Sequence, residues 1–452
     1  MSVGIVFSQT TRRKLRDRLA RELAQDSSSL VTRMSLIEAT LTQVFRQGRS
    51  VIVQDLYSGF RERTEEVILL VELTGSDTED GVYVVKLGPA QKLQDELDGW
   101  NCCRPAGLRH DLVLMSVEPR RDPDDGSLIA LVYTDAQQLI GVDETLSLES
   151  ALLDSARLGV PTPESVADSL FQLYERLGLL LYRTSYVENP DDKNYVYSSE
   201  RLDKHLPLNL SLWNAKSGPA FECRALTTTF TEMIPLRDQF RDPVSFLTFL
   251  GEAGDQHRDR VRALVPRILR GHSHGDLHGR NVLIGRVGDR VLWPAVFDFG
   301  DMGRDNLIAR DFVKLETEFK IRAYPQIFTS ATTMPILIPE IVTFERELAE
   351  WTELCRDTCQ WPNQPRSNEP RDRFSWLILK IRQQAQTHLG IRKNRSRDWL
   401  AEYYFLLTVY ALSSVRFNNL TPIEFLGAYL ASGTACARYR YDRESAEDAP
   451  NR

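Results

Sequence analysis

Two short polar segments of the chain carry residues that could perform phosphoryl transfer. Residues 274–281 read His-Gly-Asp-Leu-His-Gly-Arg-Asn, and residues 296–301 read Val-Phe-Asp-Phe-Gly-Asp. Phosphoryl transfer needs a carboxylate beside the acceptor hydroxyl and oxygen ligands for the metal that bridges the nucleotide phosphates. This spacing assigns the first role to Asp276 and the metal to Asn281 and Asp298.

The apolar segments between these two loops predict the strands that position them. Residues 282–284 and 291–297 are apolar runs typical of a hairpin, which would fix the distance from one loop to the next. His274 is expected to brace its loop rather than to react. A rival interpretation makes His272, His274 and His278 a metal cluster, but the intervening residues match neither HExxH nor a Cys/His zinc spacing.

At the two loops the chain resembles the kinase-like superfamily, and within it the branch of aminoglycoside phosphotransferases and choline kinases. Protein kinases place a lysine two residues after the catalytic aspartate, whereas the small-molecule branch commonly has a histidine there, as this chain has at His278. Residues 309–316 resemble the helix that follows the metal loop in that branch. The resemblance implies that Asp311 anchors the backbone of the catalytic loop.

The resemblance implies a bilobal α+β fold that uses ATP and Mg²⁺, although no residue distinguishes ATP from GTP. Residues 49–135 would form a small β-rich N-lobe, and residues 136–440 a large helical C-lobe with the catalytic loop and the acceptor region. Residues 1–48 are predicted to be a helical extension, and residues 441–452 a disordered tail.

An active enzyme of this kind needs a lysine on an N-lobe strand and a helical acid that orients it. Residues 81–88 form a β-branched and aromatic run that ends at Gly-Pro, which predicts a strand carrying Lys86. Leu93, Leu97 and Trp100 define the buried face of the following helix. Glu96 flanks this face and is therefore the predicted partner of Lys86, with an ordinary solvated helix residue as the alternative.

Two further segments are candidates for nucleotide contacts. Ser58 and Gly59 lie in the turn between two predicted strands, where backbone N–H groups would cover the phosphates, but the turn has a single glycine and covers them less closely than a glycine-rich loop. Tyr133, Thr134 and Asp135 follow a predicted buried strand. The resemblance implies a hinge here whose backbone binds the adenine ring, and a core strand ending in a polar turn would have the same sequence.

The bulk properties favour a soluble cytoplasmic enzyme. The 452 residues are 42% hydrophobic, which is enough for two connected cores. A net charge of −7 disfavours nucleic acid as a partner, and no apolar run approaches the roughly 18 residues that span a bilayer. The six cysteines form no CxxC pair, which suits a reducing compartment.

The sequence predicts an ATP- and Mg²⁺-dependent phosphotransferase whose acceptor carries a hydroxyl and is a small molecule of unknown identity. Arginines in the C-terminal region favour an anionic or neutral acceptor over a polycation: Arg382, Arg392, Arg395, Arg397 and Arg416.

Two alternatives to this function stay open. One is a nucleotide-binding pseudokinase that acts as an interaction module, which the glycine-poor turn favours. The other is a kinase of protein side chains, which His278 disfavours. A protein partner could bind through residues 1–48. Separately, residues 413–417 show a weaker resemblance to kinase-like domains of bacterial conflict and signalling proteins.

Overall fold

The computed structural model describes the following residues of the chain: 4–22, 27–46, 50–57, 66–75, 80–103, 128–135, 141–142, 144–182, 195–196, 239–246, 266, 268–328, 334–390, 399–415, 417 and 420–447. The strands are β1 (Gly4–Phe7), β2 (Ser50–Tyr57), β3 (Val67–Thr74), β4 (Gly81–Gly88), β5 (Ile129–Thr134), β6 (Glu144–Ser147), β7 (Tyr195–Val196), β8 (Ile268–Ser273), β9 (Val282–Val287), β10 (Arg290–Val296) and β11 (Gly303–Leu307). The helices are α1 (Gln9–Glu22), α2 (Ser27–Val44), α3 (Ala90–Cys103), α4 (Leu148–Leu158), α5 (Pro163–Leu177), α6 (Ala309–Ile327), α7 (Met334–Thr358), α8 (Pro370–Leu389), α9 (Trp399–Ser414) and α10 (Pro422–Glu447).

The fold is α+β and forms two compact units. The first unit contains residues 1–145 and 295–302, and the second contains residues 146–294 and 303–452. Among the described residues, no helix is both long enough and apolar enough to cross a membrane.

A five-stranded sheet in the order β1-β2-β3-β4-β5 forms the centre of the first unit. Strand β1 pairs with β2 in parallel, whereas the other neighbours are antiparallel. Alternate residues of β3 are buried, as expected for a strand with one face against a core. That core includes residues of α1 and α2, among them Leu15, Leu19 and Leu41, packed with Val85 and Leu87 of β4.

This arrangement corrects two predictions for the N-terminal segment. Residues 1–48 are not helical throughout, because the short apolar run Gly4–Phe7 forms β1 at the edge of the sheet. Helices α1 and α2 are also no separate extension, because their apolar residues are buried in the core of the sheet. A protein partner of this segment would therefore have to bind the exposed faces of the two helices.

The second unit is mainly helical and carries two small sheets, in the orders β10-β9-β6 and β11-β8-β7. Helix α9 is buried along almost its whole length, and helix α6 buries residues as polar as Asp311, Glu316 and Lys320. Local signals define helix α4: the side chain of Ser147 caps its first turn, and Gly159 ends it in the left-handed conformation. Helix α10 continues to Glu447, into the segment for which the sequence predicted disorder.

Candidate active site

Lys86 is the centre of a charged cluster in the first unit. Its neighbours Val85 and Leu87 point into the core with α1 and α2, so strand alternation turns Lys86 to the opposite face of the sheet. There its Nζ lies 2.6 Å from Oε2 of Glu96, which is 2% exposed on helix α3. Asp95, by contrast, is exposed. The structure thus brings together the strand lysine and the helical acid that the sequence pointed to.

Two further carboxylates approach the same ammonium group. Oδ1 of Asp298 and Oε2 of Glu66 each lie 3.5 Å from Lys86 Nζ. Asp298 has a φ of 64°, a left-handed conformation that an aspartate tolerates and that recurs at functional turns. Its side chain is 42% exposed, so the carboxylate is open to a ligand. Glu66 was not predicted, because it belongs to no motif.

Burial and charge set the protonation of this cluster. Burial disfavours the charge on Lys86, but the carboxylates of Glu96, Asp298 and Glu66 together raise the pKa of Lys86 above its ordinary value. Burial also raises the pKa of Glu96 to about 7, despite the opposing effect of Lys86. The hydroxyl of Tyr133 donates a hydrogen bond to Glu96 Oε1. Glu96, rather than Lys86, is therefore the member of the pair whose pKa lies near neutral pH.

The other nucleotide candidates are only partly described. Ser58 and Gly59 lie outside the described residues. The side chain of Tyr133 is 5% exposed and holds Glu96. Thr134 is the last residue of β5 and pairs with Tyr83. The main-chain N–H of Asp135 donates to the carbonyl of Val82, at 3.1 Å.

The catalytic loop predicted at residues 274–281 lies in the second unit, between β8 and β9. One carboxylate holds its first residues: the N–H groups of His274 and Gly275 donate to Asp311 at 3.0 and 2.8 Å. The hydroxyl of Tyr182 donates to the same carboxylate at 2.9 Å. Asp311 is fully buried, which raises its pKa to about 6 against the effect of these donors. Asp311 thus occupies the anchoring position that the resemblance implied, and Tyr182 is a partner without a sequence signal.

Asp276, Asn281 and His274 are brought together within this loop. The side-chain amide of Asn281 donates to the main-chain carbonyl of Asp276 at 3.0 Å and to its Oδ2 at 3.2 Å. The N–H of Asp276 donates to Nδ1 of His274 at 3.3 Å, so His274 acts as a brace. Nε2 of His278 lies 3.6 Å from Asp276 Oδ2. Gly279 is required here, because a Cβ atom would lie 2.6 Å from the backbone nitrogen of Glu149 at the start of α4.

One face of helix α6 holds the catalytic loop at three successive points. Asp311, Lys314 and Glu318 are spaced i, i+3 and i+7, which places them on a single helix face. The Asp311 carboxylate binds the start of the loop, and Lys314 Nζ forms an ion pair with Oδ1 of Asp276. Glu318 accepts from Arg280 at 2.5 Å. Sequence reasoning did not identify Lys314, although its spacing from Asp311 was a usable signal.

The chemistry of the predicted metal ligands fits Mg²⁺. Because Nδ2 of Asn281 donates to Asp276, the amide oxygen is the atom left for a metal, and Asp298 offers a partly exposed carboxylate. Mg²⁺ prefers such oxygen ligands and commonly takes one or two protein groups together with substrate phosphates. Within the described ranges, no three His, Cys, Asp or Glu side chains group so as to hold a metal ion.

Of the C-terminal arginines that favoured an anionic or neutral acceptor, the one that the structure describes is not available to a ligand. Arg382 is 1% exposed, and its guanidinium donates to both carboxylate oxygens of Glu316, at 2.9 and 2.6 Å. The same glutamate pairs with Lys320 at 2.7 Å and accepts from Tyr403 at 2.6 Å. Arg382 therefore belongs to a buried network between helices. Arg392, Arg395, Arg397 and Arg416 lie outside the described residues.

Part of the chain is similar to a described protein family. A family described as "Ternary complex associated domain 9" matches residues 222–416, which is less than half of the chain. The matched range contains the predicted catalytic loop, the Asp298 turn and helices α6 to α9. No curated protein matches the chain significantly.

Proposed function

We propose that this chain is an ATP- and Mg²⁺-dependent phosphotransferase of the kinase-like superfamily, with a bilobal fold, that phosphorylates a hydroxyl of a small molecule. The observation that carries the proposal is the convergence at Lys86. Glu96 and Asp298 were selected by separate sequence patterns, and Asp298 is 212 residues distant in sequence from Lys86. Both carboxylates nevertheless lie within 3.5 Å of the Lys86 ammonium group. A lysine held by one acid and beside a second is the arrangement that nucleotide phosphates require.

In this proposal the first unit binds the nucleotide. Lys86 donates to the phosphate oxygens, and Glu96 fixes the direction of its ammonium group. Tyr133 supports Glu96 from the neighbouring strand through its hydroxyl. Preorganised charges of this kind lower the barrier because they need not be reoriented during the reaction.

The second unit provides the groups for the acceptor. Asp276 accepts the hydroxyl proton as the acceptor oxygen forms its bond to the γ-phosphorus. The bond from that phosphorus to the β–γ bridging oxygen breaks, and its electron pair leaves with ADP. His274 and Asn281 hold the Asp276 backbone and carboxylate in place, at 3.3 and 3.2 Å.

Asn281 and Asp298 are the residues that would hold Mg²⁺. When bound, the ion would neutralise charge on the phosphate oxygens during transfer. Without a metal, the partly exposed Asp298 carboxylate would repel the phosphates, and Lys86 at 3.5 Å would offset this repulsion only in part. Binding of ATP should therefore depend on Mg²⁺, and calorimetry with and without the ion measures this dependence.

The proposal is tested by ATP turnover in wild type and in Asp276→Asn. The substitution removes the proton acceptor but keeps the size of the side chain, so we expect ATP binding within about 2-fold of wild type and turnover lower by about 100-fold. Asp289→Asn is the matched control, since Asp289 is exposed in the turn between β9 and β10. Equal turnover in wild type and Asp276→Asn would contradict the assignment of Asp276.

A second candidate is a nucleotide-binding module that acts through other proteins. The description of the matching family, a domain associated with ternary complexes, favours a role in an assembly. This role is compatible with either activity or its absence. This second candidate replaces the enzyme proposal if two results are found together. The wild-type protein binds MgATP without turnover in any acceptor pool, and ATP changes the oligomeric state of the protein or its binding of a partner.

A further inference from the structure

The contacts of the Asp276 carboxylate raise a question about how it accepts a proton. Lys314 pairs with Oδ1, and the amide of Asn281 donates to Oδ2 at 3.2 Å, with His278 Nε2 at 3.6 Å from the same oxygen. Both carboxylate oxygens thus have protein partners. A general base needs one oxygen within hydrogen-bonding distance of the acceptor hydroxyl. A carboxylate oxygen can accept more than one hydrogen bond, so the acceptor hydroxyl either shares Oδ1 or Oδ2 with one of these partners or displaces it.

The partners of the carboxylate differ in how firmly they are held. Asn281 is fixed twice, because its amide also donates to the main-chain carbonyl of Asp276 at 3.0 Å. Lys314 reaches Oδ1 through a flexible four-carbon side chain that ends in a compact point charge with three donors. Its side chain is 17% exposed, so solvent or substrate reaches it. Lys314 is accordingly the partner that moves most easily.

The same helix face keeps this lysine directed at the reacting group. Asp311, one turn before Lys314, binds the N–H groups of His274 and Gly275, so the start of α6 is fixed to the start of the loop. Arg280, a cation within the loop itself, is held instead by Glu318 at 2.5 Å and lies 3.7 Å from Glu149. A cation beside the proton acceptor is also beside the oxygen that attacks phosphorus.

We propose that Lys314 is a catalytic residue that moves its ammonium group from Asp276 to the transferred phosphoryl group. This inference rests on the proposed function. The movement frees Oδ1 of Asp276 for the acceptor hydroxyl. It also brings positive charge to the non-bridging oxygens of the phosphoryl group while that group passes from the leaving oxygen of ADP to the acceptor oxygen. A positive charge that lies where negative charge develops in the transition state increases the reaction rate more than it increases substrate binding.

The test is the affinity for ADP with aluminium fluoride and Mg²⁺, a mimic of the transferring phosphoryl group that needs no known acceptor. For Lys314→Met we expect binding of this complex to weaken about 10-fold or more, with binding of ADP alone within about 2-fold of wild type. Turnover of ATP should fall by a similar factor at nearly constant KM. Lys314→Arg keeps the positive charge and should recover part of both losses.

Arg322→Met is the matched control, because Arg322 is another cation of helix α6, lies about two turns beyond Lys314, and pairs with Glu424 at 2.7 Å. It should leave the fluoride complex unaffected, and thermal melting shows whether each variant is folded. Undiminished binding of the fluoride complex by Lys314→Met, or equal loss in Arg322→Met, overturns the role of Lys314. A wild type that binds ADP but gains no affinity from aluminium fluoride contradicts the proposed function itself.

Discussion

Gly99 of helix α3 lies directly against the main-chain carbonyl of Phe299. A Cβ atom at position 99 would overlap the Phe299 oxygen and lie 3.1 Å from its carbonyl carbon. The ring of Phe299 also packs on Trp100 of the same helix, with centroids 5.6 Å apart. Since α3 carries Glu96 and Phe299 follows Asp298, this contact couples the positions of the two carboxylates that meet at Lys86.

Gly99→Ala should therefore impair nucleotide binding as well as stability. The added methyl group must push the Phe299 turn away from α3, and overpacking of this kind costs about 1–3 kcal/mol of the free energy of unfolding. We expect the affinity for MgATP to fall by about 10-fold, because Glu96 and Asp298 no longer meet at Lys86. Calorimetry and thermal melting measure the two effects.

Gly300→Ala is the control for this substitution. A Cβ atom at position 300 meets nothing within 4 Å, although the residue lies next to Phe299. Its stability and MgATP affinity should match those of wild type. Equal losses in the two variants would show that the close approach to Gly99 has no particular importance.

The pKa of Glu96 predicts how ATP turnover depends on pH. Burial raises this pKa to about 7, so the carboxylate gains a proton as the pH falls below neutral, and the neutral acid no longer orients Lys86. Turnover should decline on the acid side with an apparent pKa of about 7. In Glu96→Gln turnover should be low at every pH and this decline should be absent, whereas the exposed Asp95→Asn should keep the wild-type profile.

The same raised pKa has the opposite effect on folding. A carboxyl whose pKa is raised by folding stabilises the protein below its ordinary pKa of 4.5, and this contribution is lost as the pH rises through about 7. The free energy of unfolding of wild type should therefore fall relative to that of Glu96→Gln as the pH rises from 5 to 8. Denaturant titrations at these two pH values measure the difference, and a change in the reverse direction would refute the assigned pKa.

The parts of the site that local sequence patterns determine could be predicted. Lys86 lies in a β-branched run, and Glu96 follows from rotation around a helix whose apolar residues are Leu93 and Leu97. Strand β1 was missed because four residues show no clear periodicity and their pairing with β2 spans more than 40 residues of sequence. The alternation of strands and the rotation of helices are local properties, whereas such pairings depend on the whole chain.

Contacts between distant helices were the parts that could not be predicted. Arg382 was counted among the charges that favour an anionic or neutral acceptor, since an arginine on a helix gives no sign that its partner is a buried glutamate 66 residues away. Lys314 was overlooked for a related reason. Its importance comes from the Asp276 carboxylate, whose position depends on the path of the catalytic loop.

The free energy of unfolding should depend strongly on Arg382. Its pairing lowers the pKa of Glu316 to about 2 although burial opposes the charge, so this contribution is present above pH 4.5 and is lost as the pH falls toward 2. Arg382→Met leaves the buried carboxylate of Glu316 with less compensating positive charge. The substitution should lower the free energy of unfolding by about 3–5 kcal/mol at pH 7. Arg371→Met removes an exposed pair with Glu347 and should cost about 0–1 kcal/mol. Similar losses in both would contradict the importance of burial.

Asp311→Asn tests the anchor of the catalytic loop. An amide offers one oxygen in place of two, so a buried N–H of His274 or Gly275 loses its acceptor, at a cost of about 1–3 kcal/mol. Turnover should fall by about 10-fold or more because the loop that carries Asp276 is less fixed. Tyr182→Phe removes a single donor to the same carboxylate and should have a smaller effect on both quantities. An activity in Asp311→Asn equal to wild type would show that the loop keeps its geometry without this anchor.

The most direct test of the central claim is the fate of the γ-phosphoryl group. A metabolite extract is incubated with the protein, Mg²⁺ and γ-labelled ATP, and the labelled products are resolved by mass spectrometry. We predict a phosphorylated small molecule that is formed by wild type and absent with Asp276→Asn. Label found on protein alone, or no transfer by a protein that binds MgATP, would contradict the claim that this chain is a small-molecule phosphotransferase.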